Sequence, residues 1–255
     1  MRVTAVSGSA SGIGAAIRAR LMHDGQRVIG VDLRDAEVIA DLATAAGRSA
    51  AVAAVARECG GKLDGLVACA GIGPHVPDPS LIVSVNYFGA QAFLAGLRDA
   101  LTRGSEPAAV AISSNSSTVP NMDSPMVAAC LAGDEAEARR LASSDLAHST
   151  YGGSKLALTR WMRRNAPKPE WAGAAIRLNA VAPGPILTPL LQGGLDDPRY
   201  GPAIRGFPVP TGGFGAPNDV AAAVAFLLGP EARFCCGSVL YVDGGTDALL
   251  RGDQY

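Results

Sequence analysis

Short apolar runs rich in valine, isoleucine and alanine recur along the chain, at Val3 to Ser7, Arg27 to Val31, Leu63 to Cys69, Ala108 to Ser113, Ile176 to Val181 and Ser238 to Val242. Longer alanine-rich segments of helical character separate them. Strands alternating with helices of this length predict parallel βαβ units. The runs are continuously apolar rather than alternating, as in strands covered by helices on both faces. The expected architecture is a single α/β domain over 1–255, a doubly wound, mostly parallel sheet flanked by helices. No internal repeat or interdomain linker is visible.

Two segments break the rhythm. Residues 116–149 leave the β-rich pattern, and their centre, Met126 to Ala142, predicts a helix with Asp134 and Glu135 ahead of Arg139 and Arg140. That charge order suits a solvent-facing helix. Residues 183–217 are rich in proline and glycine, with scattered large apolar side chains. They are too long for a simple connection and are expected to form a substrate lid.

Composition narrows the function. With 48% hydrophobic and 18% charged residues the chain can build a substantial core, which excludes a disordered protein. A formal net charge of -1 argues against a nucleic-acid surface and leaves small molecules as the expected partners. No apolar run approaches the roughly 20 residues of a membrane-spanning helix. Met1 to Val6 runs straight into a strand without the pattern of a signal peptide, so a cytoplasmic protein is expected. The five cysteines, Cys59, Cys69, Cys130, Cys235 and Cys236, lack metal-ligand spacing and read as reduced packing residues, with no metal expected. His23, His75 and His148 show no triad spacing and read as surface or loop residues.

The chemistry-bearing residues fall at particular places in this pattern. Gly8-Ser9-Ala10-Ser11-Gly12-Ile13-Gly14 follows the first strand and opens a helix. Glycines there permit a tight turn and let backbone approach a pyrophosphate, whose charge the helix N-terminus favours. Asp32 ends the second strand, about 20 residues on, where a carboxylate accepts hydrogen bonds from ribose hydroxyls and repels a 2′-phosphate, favouring NAD over NADP. Arg34 beside it reads as a solvated surface arginine. Tyr151 and Lys155 stand four residues apart, on one face of a helix. An ammonium beside a phenol lowers a pKa that is ordinarily about 10, making Tyr151 usable as an acid or base.

Taken jointly, Gly8 to Gly14, Cys69-Ala70-Gly71, Asn86, Ser113-Ser114, Tyr151 to Lys155, Pro183-Gly184 with Thr188, and Asp243-Gly244-Gly245 resemble the short-chain dehydrogenase/reductases over essentially the whole chain. Asp32 to Leu42, Val83 to Gly89, Leu195 to Tyr200 and the segment before Tyr151 are similar to those of the hydroxysteroid dehydrogenase and carbonyl reductase branch. Coniferyl-type alcohol dehydrogenases are similar too. The resemblance implies that Tyr151 moves the substrate proton while Lys155 lowers its pKa and binds the nicotinamide ribose. It implies that Ser114 hydrogen-bonds the same substrate oxygen and that Asn86 holds a relay water through a helical distortion. On the cofactor side it implies Gly8, Ser11, Gly12, Ile13 and Gly14 at the pyrophosphate, Asp32 at the ribose and Asp41 and Leu42 at adenine. Ala70 and Gly71 would pass the adenosine ribose, with Pro183, Gly184, Ile186 and Thr188 at the carboxamide end.

Each residue also has a plainer reading: Ser114 as a strand-end hydroxyl bonded to its own turn, Asn86 as a helix-interior amide, Thr188 as a helix cap, and Asp243 as a turn former. Cys69 stands where the family has an asparagine that bonds neighbouring strands, which questions local structure there.

The expected reaction is NAD-dependent interconversion of a hydrophobic secondary alcohol, such as a 3α-hydroxysteroid, and its ketone. A coniferyl-type aromatic alcohol is the alternative, and a non-catalytic dinucleotide sensor is the alternative of another class. Ile186, Leu187, Leu190, Leu191, Leu195, Phe207, Pro208, Val209 and Pro210 would either line an apolar pocket or pack the lid. The segment before Tyr151 is expected to project and obstruct the interface that the family forms at the helix carrying Tyr151. A homodimer through another surface, such as the C-terminal strand edge and its adjacent helix, is expected; alternatively, the segment borders the substrate cleft.

Overall fold

A computed structural model describes residues 1–144 and 146–254; Asp145, inside the expected insertion, and Tyr255 lie outside the described residues. Its strands are β1 (Val3–Ser7), β2 (Arg27–Asp32), β3 (Val38–Ile39), β4 (Gly65–Ala68), β5 (Ala108–Ile112), β6 (Arg177–Pro183) and β7 (Val239–Val242). They form one sheet in the order β3-β2-β1-β4-β5-β6-β7, with every neighbouring pair parallel. The apolar runs account for every strand but β3, whose two residues leave no periodic signal.

The helices are α1 (Gly12–His23), α2 (Ala45–Glu58), α3 (Pro79–Val83), α4 (Ala90–Gly96), α5 (Arg98–Leu101), α6 (Pro125–Ala132), α7 (Glu135–Ala142), α8 (Ala147–Asn165), α9 (Pro189–Asp196), α10 (Gly201–Arg205), α11 (Pro217–Leu228) and α12 (Thr246–Leu250). Successive strand side chains point to opposite faces. Ala5, Ile29, Leu66 and Ala109 join Val55 of α2, Phe93 of α4 and Leu158 of α8 in one core. Val6, Val28, Val67 and Val110 join Ile17 and Leu21 of α1 and Val220 and Val224 of α11 in the other. Helices on both faces explain why the strands carry no polar alternation. Among the described residues no helix is long and apolar enough to cross a membrane.

The segment before Tyr151 departs from its sequence reading in two ways. The expected single helix is broken into α6 and α7, because Gly133 adopts a left-handed φ of 79° that ends α6 and Asp134 then caps α7 by accepting from the Glu137 amide. Nor does the segment project. Met126, Val127, Cys130, Ala138 and Ala142 are buried, with α6 packed on α8 and α7 on α3. One side of α7 faces solvent, where Glu137 pairs with Arg140 at 2.7 Å. The close fit on α8 uses the two glycines between Tyr151 and Lys155. A Cβ at Gly152 would stand 2.3 Å from Met122 Sδ, and one at Gly153 2.6 Å from Met126 Cε.

All five cysteines are free, and Cys59 and Cys130 are buried as expected. Cys236 is exposed and so is not a packing residue, since it lies in the turn at the rim of the sheet just before β7.

Candidate active site

The chain winds outward from β1 through β2 to β3, then returns to place β4 on the other side of β1. Strand ends diverge at such a reversal and leave a crevice, the usual ligand site of a doubly wound sheet. Here it is a cleft of about 740 Å³. Its lining includes Gly8, Ser11, Gly12, Ile13, Gly14, Asp32, Asp41, Leu42, Ala70, Gly71, Ser114, Tyr151, Lys155, Pro183, Gly184, Ile186 and Thr188. A smaller surface groove of about 360 Å³ between α6 and α8 contains none of the predicted site residues.

At the first turn Gly8 has φ 69°, and a Cβ there would stand 2.7 Å from Ala70 Cα, so the floor of the crevice is two backbones in contact. Asp32 steadies the turn by accepting from the Ala10 amide at 2.9 Å and the Leu33 amide at 2.7 Å. The strand-bonding role expected of the missing asparagine falls to Ser7, whose hydroxyl accepts from the amides of Cys69 at 3.1 Å and Ala70 at 3.2 Å. Burial pushes the Cys69 thiol up to about 12, so it stays neutral. Arg34 is outside the lining, with its side chain 85% exposed.

Ser114 follows β5 and begins a short 3₁₀ turn. Its hydroxyl accepts from the Ser116 amide at 3.1 Å and the Ser116 hydroxyl at 2.9 Å. The plainer reading of Ser114, a strand-end hydroxyl bonded to its own turn, is observed, and an oxygen that accepts there keeps its own proton for a group in the cleft. Lys155 is buried and donates to the Ile112 carbonyl at 2.9 Å. Burial lowers it to about 8.

The direct acidification of Tyr151 expected from helical spacing is not what the geometry provides. Lys155 Nζ lies 6.0 Å from the phenol ring centroid, and burial raises the Tyr151 pKa above 10.0, with only the Ser114 hydroxyl pulling it back. At neutral pH Tyr151 is a protonated acid beside a hydroxyl donor.

Asn86 alone among the predicted residues is absent from the lining. It lies in a π-helical segment, Ser84–Gly89, so the helical distortion is present. Its side chain is occupied by the Ile72 backbone, accepting from the amide at 2.9 Å and donating to the carbonyl at 3.0 Å. This holds the chain leaving Ala70 and Gly71. Thr188 serves as the cap it was also read to be, accepting from the Leu191 amide at 3.2 Å, yet it lines the cleft as well. Asp243 is a turn former that also receives the Asn115 side chain at 3.4 Å, tying β7 to the Ser114 turn.

The lid divides. Ile186, Leu190, Leu191 and Phe207 line the cleft, whereas Leu187 is exposed and Leu195 lies outside the lining. Val209 and Pro210 pack on Gly244 and Gly245. Sequence reading missed Val119 and Met122 of the insertion and Arg199, Tyr200, Ala203 and Ile204 of the lid, all lining residues. Nothing in their spacing marks them. The histidines are surface or loop residues, as read, and two of them stand near the cleft or the lid. His148, though exposed, lines the cleft from the first turn of α8. His75 is half-buried, its ring against Gly193 of α9. His23 is exposed, as read.

A parallel doubly wound sheet whose switch-point crevice combines a glycine turn, a strand-end carboxylate, a buried serine and lysine and a half-buried tyrosine defines a nucleotide-binding α/β protein. The short chain dehydrogenase family matches residues 2–144, and the family described as enoyl-(acyl carrier protein) reductase matches 146–247. The chain is 45% identical to 3-alpha-hydroxysteroid dehydrogenase/carbonyl reductase of Comamonas testosteroni over 100% of both chains. It is 30% identical to coniferyl-alcohol dehydrogenase of Pseudomonas sp. (strain HR199), covering 94% of each. The crystal structure of 3-alpha-hydroxysteroid dehydrogenase from Pseudomonas sp. B-0831 complexed with NADH superposes with a TM-score of 0.97 at 52% identity, covering 99% of this chain and 100% of that one. The chain belongs to the short-chain dehydrogenase/reductase family.

Proposed function

We propose that the chain is an NAD(H)-dependent oxidoreductase interconverting a hydrophobic secondary alcohol and its ketone, with a 3α-hydroxysteroid and its 3-oxosteroid as the substrate pair. The observation carrying this reading is that Ser114, Tyr151 and Lys155 share one cleft with the glycine turn, Asp32 and the apolar side chains of the lid. The steroid assignment rests on the 45% identical Comamonas relative and the Pseudomonas sp. B-0831 enzyme.

The residues present fit a dinucleotide. Gly8, Gly12 and Gly14 carry no side chains in the turn at the positive end of α1, where a pyrophosphate would approach them together with Ser11 and Ile13. Asp32 would accept from the ribose hydroxyls, and its charge disfavours a 2′-phosphate, while Arg34 points into solvent. Asp41 and Leu42 would flank adenine, and Ala70 and Gly71 the adenosine ribose. Lys155 would hold the nicotinamide ribose, and Pro183, Gly184, Ile186 and Thr188 the carboxamide.

Bound cofactor supplies or receives the hydride. Ser114 donates its free proton to the substrate oxygen and stabilises the charge that develops there. Tyr151, protonated at neutral pH, gives its proton to the same oxygen in reduction and takes it back in oxidation. The lid excludes water from this exchange, and Asn86 holds the Ile72 backbone and serves the proton relay.

Absorbance at the NADH band, followed with a 3-oxosteroid, coniferyl alcohol and both cofactors, tests the reading. Turnover of the steroid with a clear NAD preference is expected. Turnover of coniferyl alcohol alone would move the substrate class to aromatic alcohols, and NADP preference would remove the role given to Asp32. Inactivity toward every compound despite NADH binding would favour a dinucleotide sensor.

The assembly reading is a homodimer through β7 and α11. The α8 face is covered by the insertion, and the β7 rim carries exposed Phe234, Phe226 and Leu240, the first 97% accessible. Apolar side chains along an open strand edge suit a second copy. Phe234→Asp is expected to weaken the dimer at least about tenfold in sedimentation, since one charge in an apolar interface core costs well over 1 kcal/mol. An unchanged assembly state would place the interface elsewhere. The unbridged cysteines suit a cytoplasmic enzyme.

A further inference from the structure

One ion pair outside the cleft, between a buried arginine and a half-buried glutamate, joins three segments that bear on it. Arg48 lies in the first turn of α2 and is 7% exposed. Its guanidinium meets the Glu135 carboxylate through both terminal nitrogens, Nη1 donating to Oε1 at 3.1 Å and Nη2 to Oε2. Nη1 also donates to the Ser84 carbonyl at 3.3 Å and, at the outer limit, to the Leu42 carbonyl at 3.5 Å. Leu42 belongs to the cleft lining, Ser84 opens the π-helical segment, and Glu135 begins α7 in the insertion.

A second arginine of α7 reinforces the attachment. Arg139 donates to Ser84 Oγ at 3.0 Å and to Ser80 Oγ at 3.3 Å. The two ends of the network also touch directly, for a Cβ at Gly89 would stand 3.2 Å from the Leu42 carbonyl oxygen. The π-helical segment thus supports Leu42 from behind, while its Asn86 holds the Ile72 backbone beside Ala70 and Gly71.

Mere burial does not require this chemistry. Taking an arginine out of water, and much of a glutamate with it, is costly, and well-packed apolar side chains of similar volume stabilise a core as well or better. A guanidinium differs in having several donors in a fixed planar fork, which can tie a carboxylate and two backbone carbonyls at once.

The geometry points to Arg48 and Glu135 as positioning residues for the dinucleotide: together they fix Leu42 at the cleft and lock it to the segment that sets Ile72, Gly71 and Ala70. The proposal rests on the dinucleotide reading given above. It assigns the insertion a part in cofactor affinity through Glu135, which does not itself line the cleft. Neither residue touches the reacting atoms.

NADH fluorescence titration, steady-state kinetics and thermal unfolding of the full chain test this on wild type, Glu135→Gln and the double variant Arg48→Met/Glu135→Met. The double variant leaves no unpaired buried charge, so it keeps the test open if the single variant fails to fold. The expected result is NADH binding weaker by about tenfold in the folded variants, with KM for NAD raised in step and the steroid KM at saturating NAD unchanged. A folded double variant that binds NADH as tightly as wild type would overturn the positioning role, as would a parallel rise in both KM values. Wild-type protein that does not bind NADH would remove the dinucleotide reading and this proposal with it; wild-type binding with unaltered variants overturns this proposal alone.

Discussion

Tyr151→Phe is expected to lower kcat by about 10²–10⁴-fold, the range supplied by a positioned general acid or base, while NADH binds as in wild type. Removal of the hydroxyl deletes the proton that burial keeps on the ring at neutral pH and leaves the ring in place. Single-turnover reduction together with NADH fluorescence separates the two effects. Full activity in the variant would transfer the proton step to another group, whereas loss of NADH binding would show that the phenol chiefly shapes the cofactor site.

Replacing Lys155 by methionine is expected to pull activity and stability in opposite directions. In its proposed role at the nicotinamide ribose, Lys155 is the sole lysine among the described lining residues, so kcat/KM should fall by at least about 10²-fold. Stability at neutral pH should rise. Burial lowers Lys155 from 10.5 to about 8, a penalty of order 3 kcal/mol on the folded state, against about 1 kcal/mol for the lost hydrogen bond to Ile112. Below pH 8 both folded and unfolded chains carry the charge and the full penalty stands. Between pH 8 and 10.5 the unfolded chain holds the proton more tightly, so wild-type stability gains a contribution as pH rises. Urea denaturation of wild type and variant between pH 7 and 10 should therefore converge toward the alkaline end. Parallel curves would mean that the ammonium is not desolvated as its burial implies.

These expectations differ in how far the amino-acid order anticipates them. The glycine turn, Asp32, Ser114 and the Tyr151 and Lys155 pair are legible because each sits at a strand end or within one helical turn, where local geometry suffices. The raised pKa of Tyr151 is not legible, since four-residue spacing fixes the shared helix face but not the direction of a flexible lysine side chain, which here turns to Ile112. Arg48 and Glu135, 87 positions apart, carry no local mark of their pairing. Val119, Met122 and the lid residues around Ile204 enter the cleft only because the segments that carry them fold back over it.

By itself the sequence determined the sheet apart from β3, its two-sided burial and the residues of the glycine turn, because strand and helix periodicity and backbone clearance act over a few residues. Tertiary structure decided where the insertion lies, which lid side chains face the cleft, and which charges are desolvated. Those outcomes depend on contacts between segments far apart in the chain, whose free energy is set by packing and by exclusion of water.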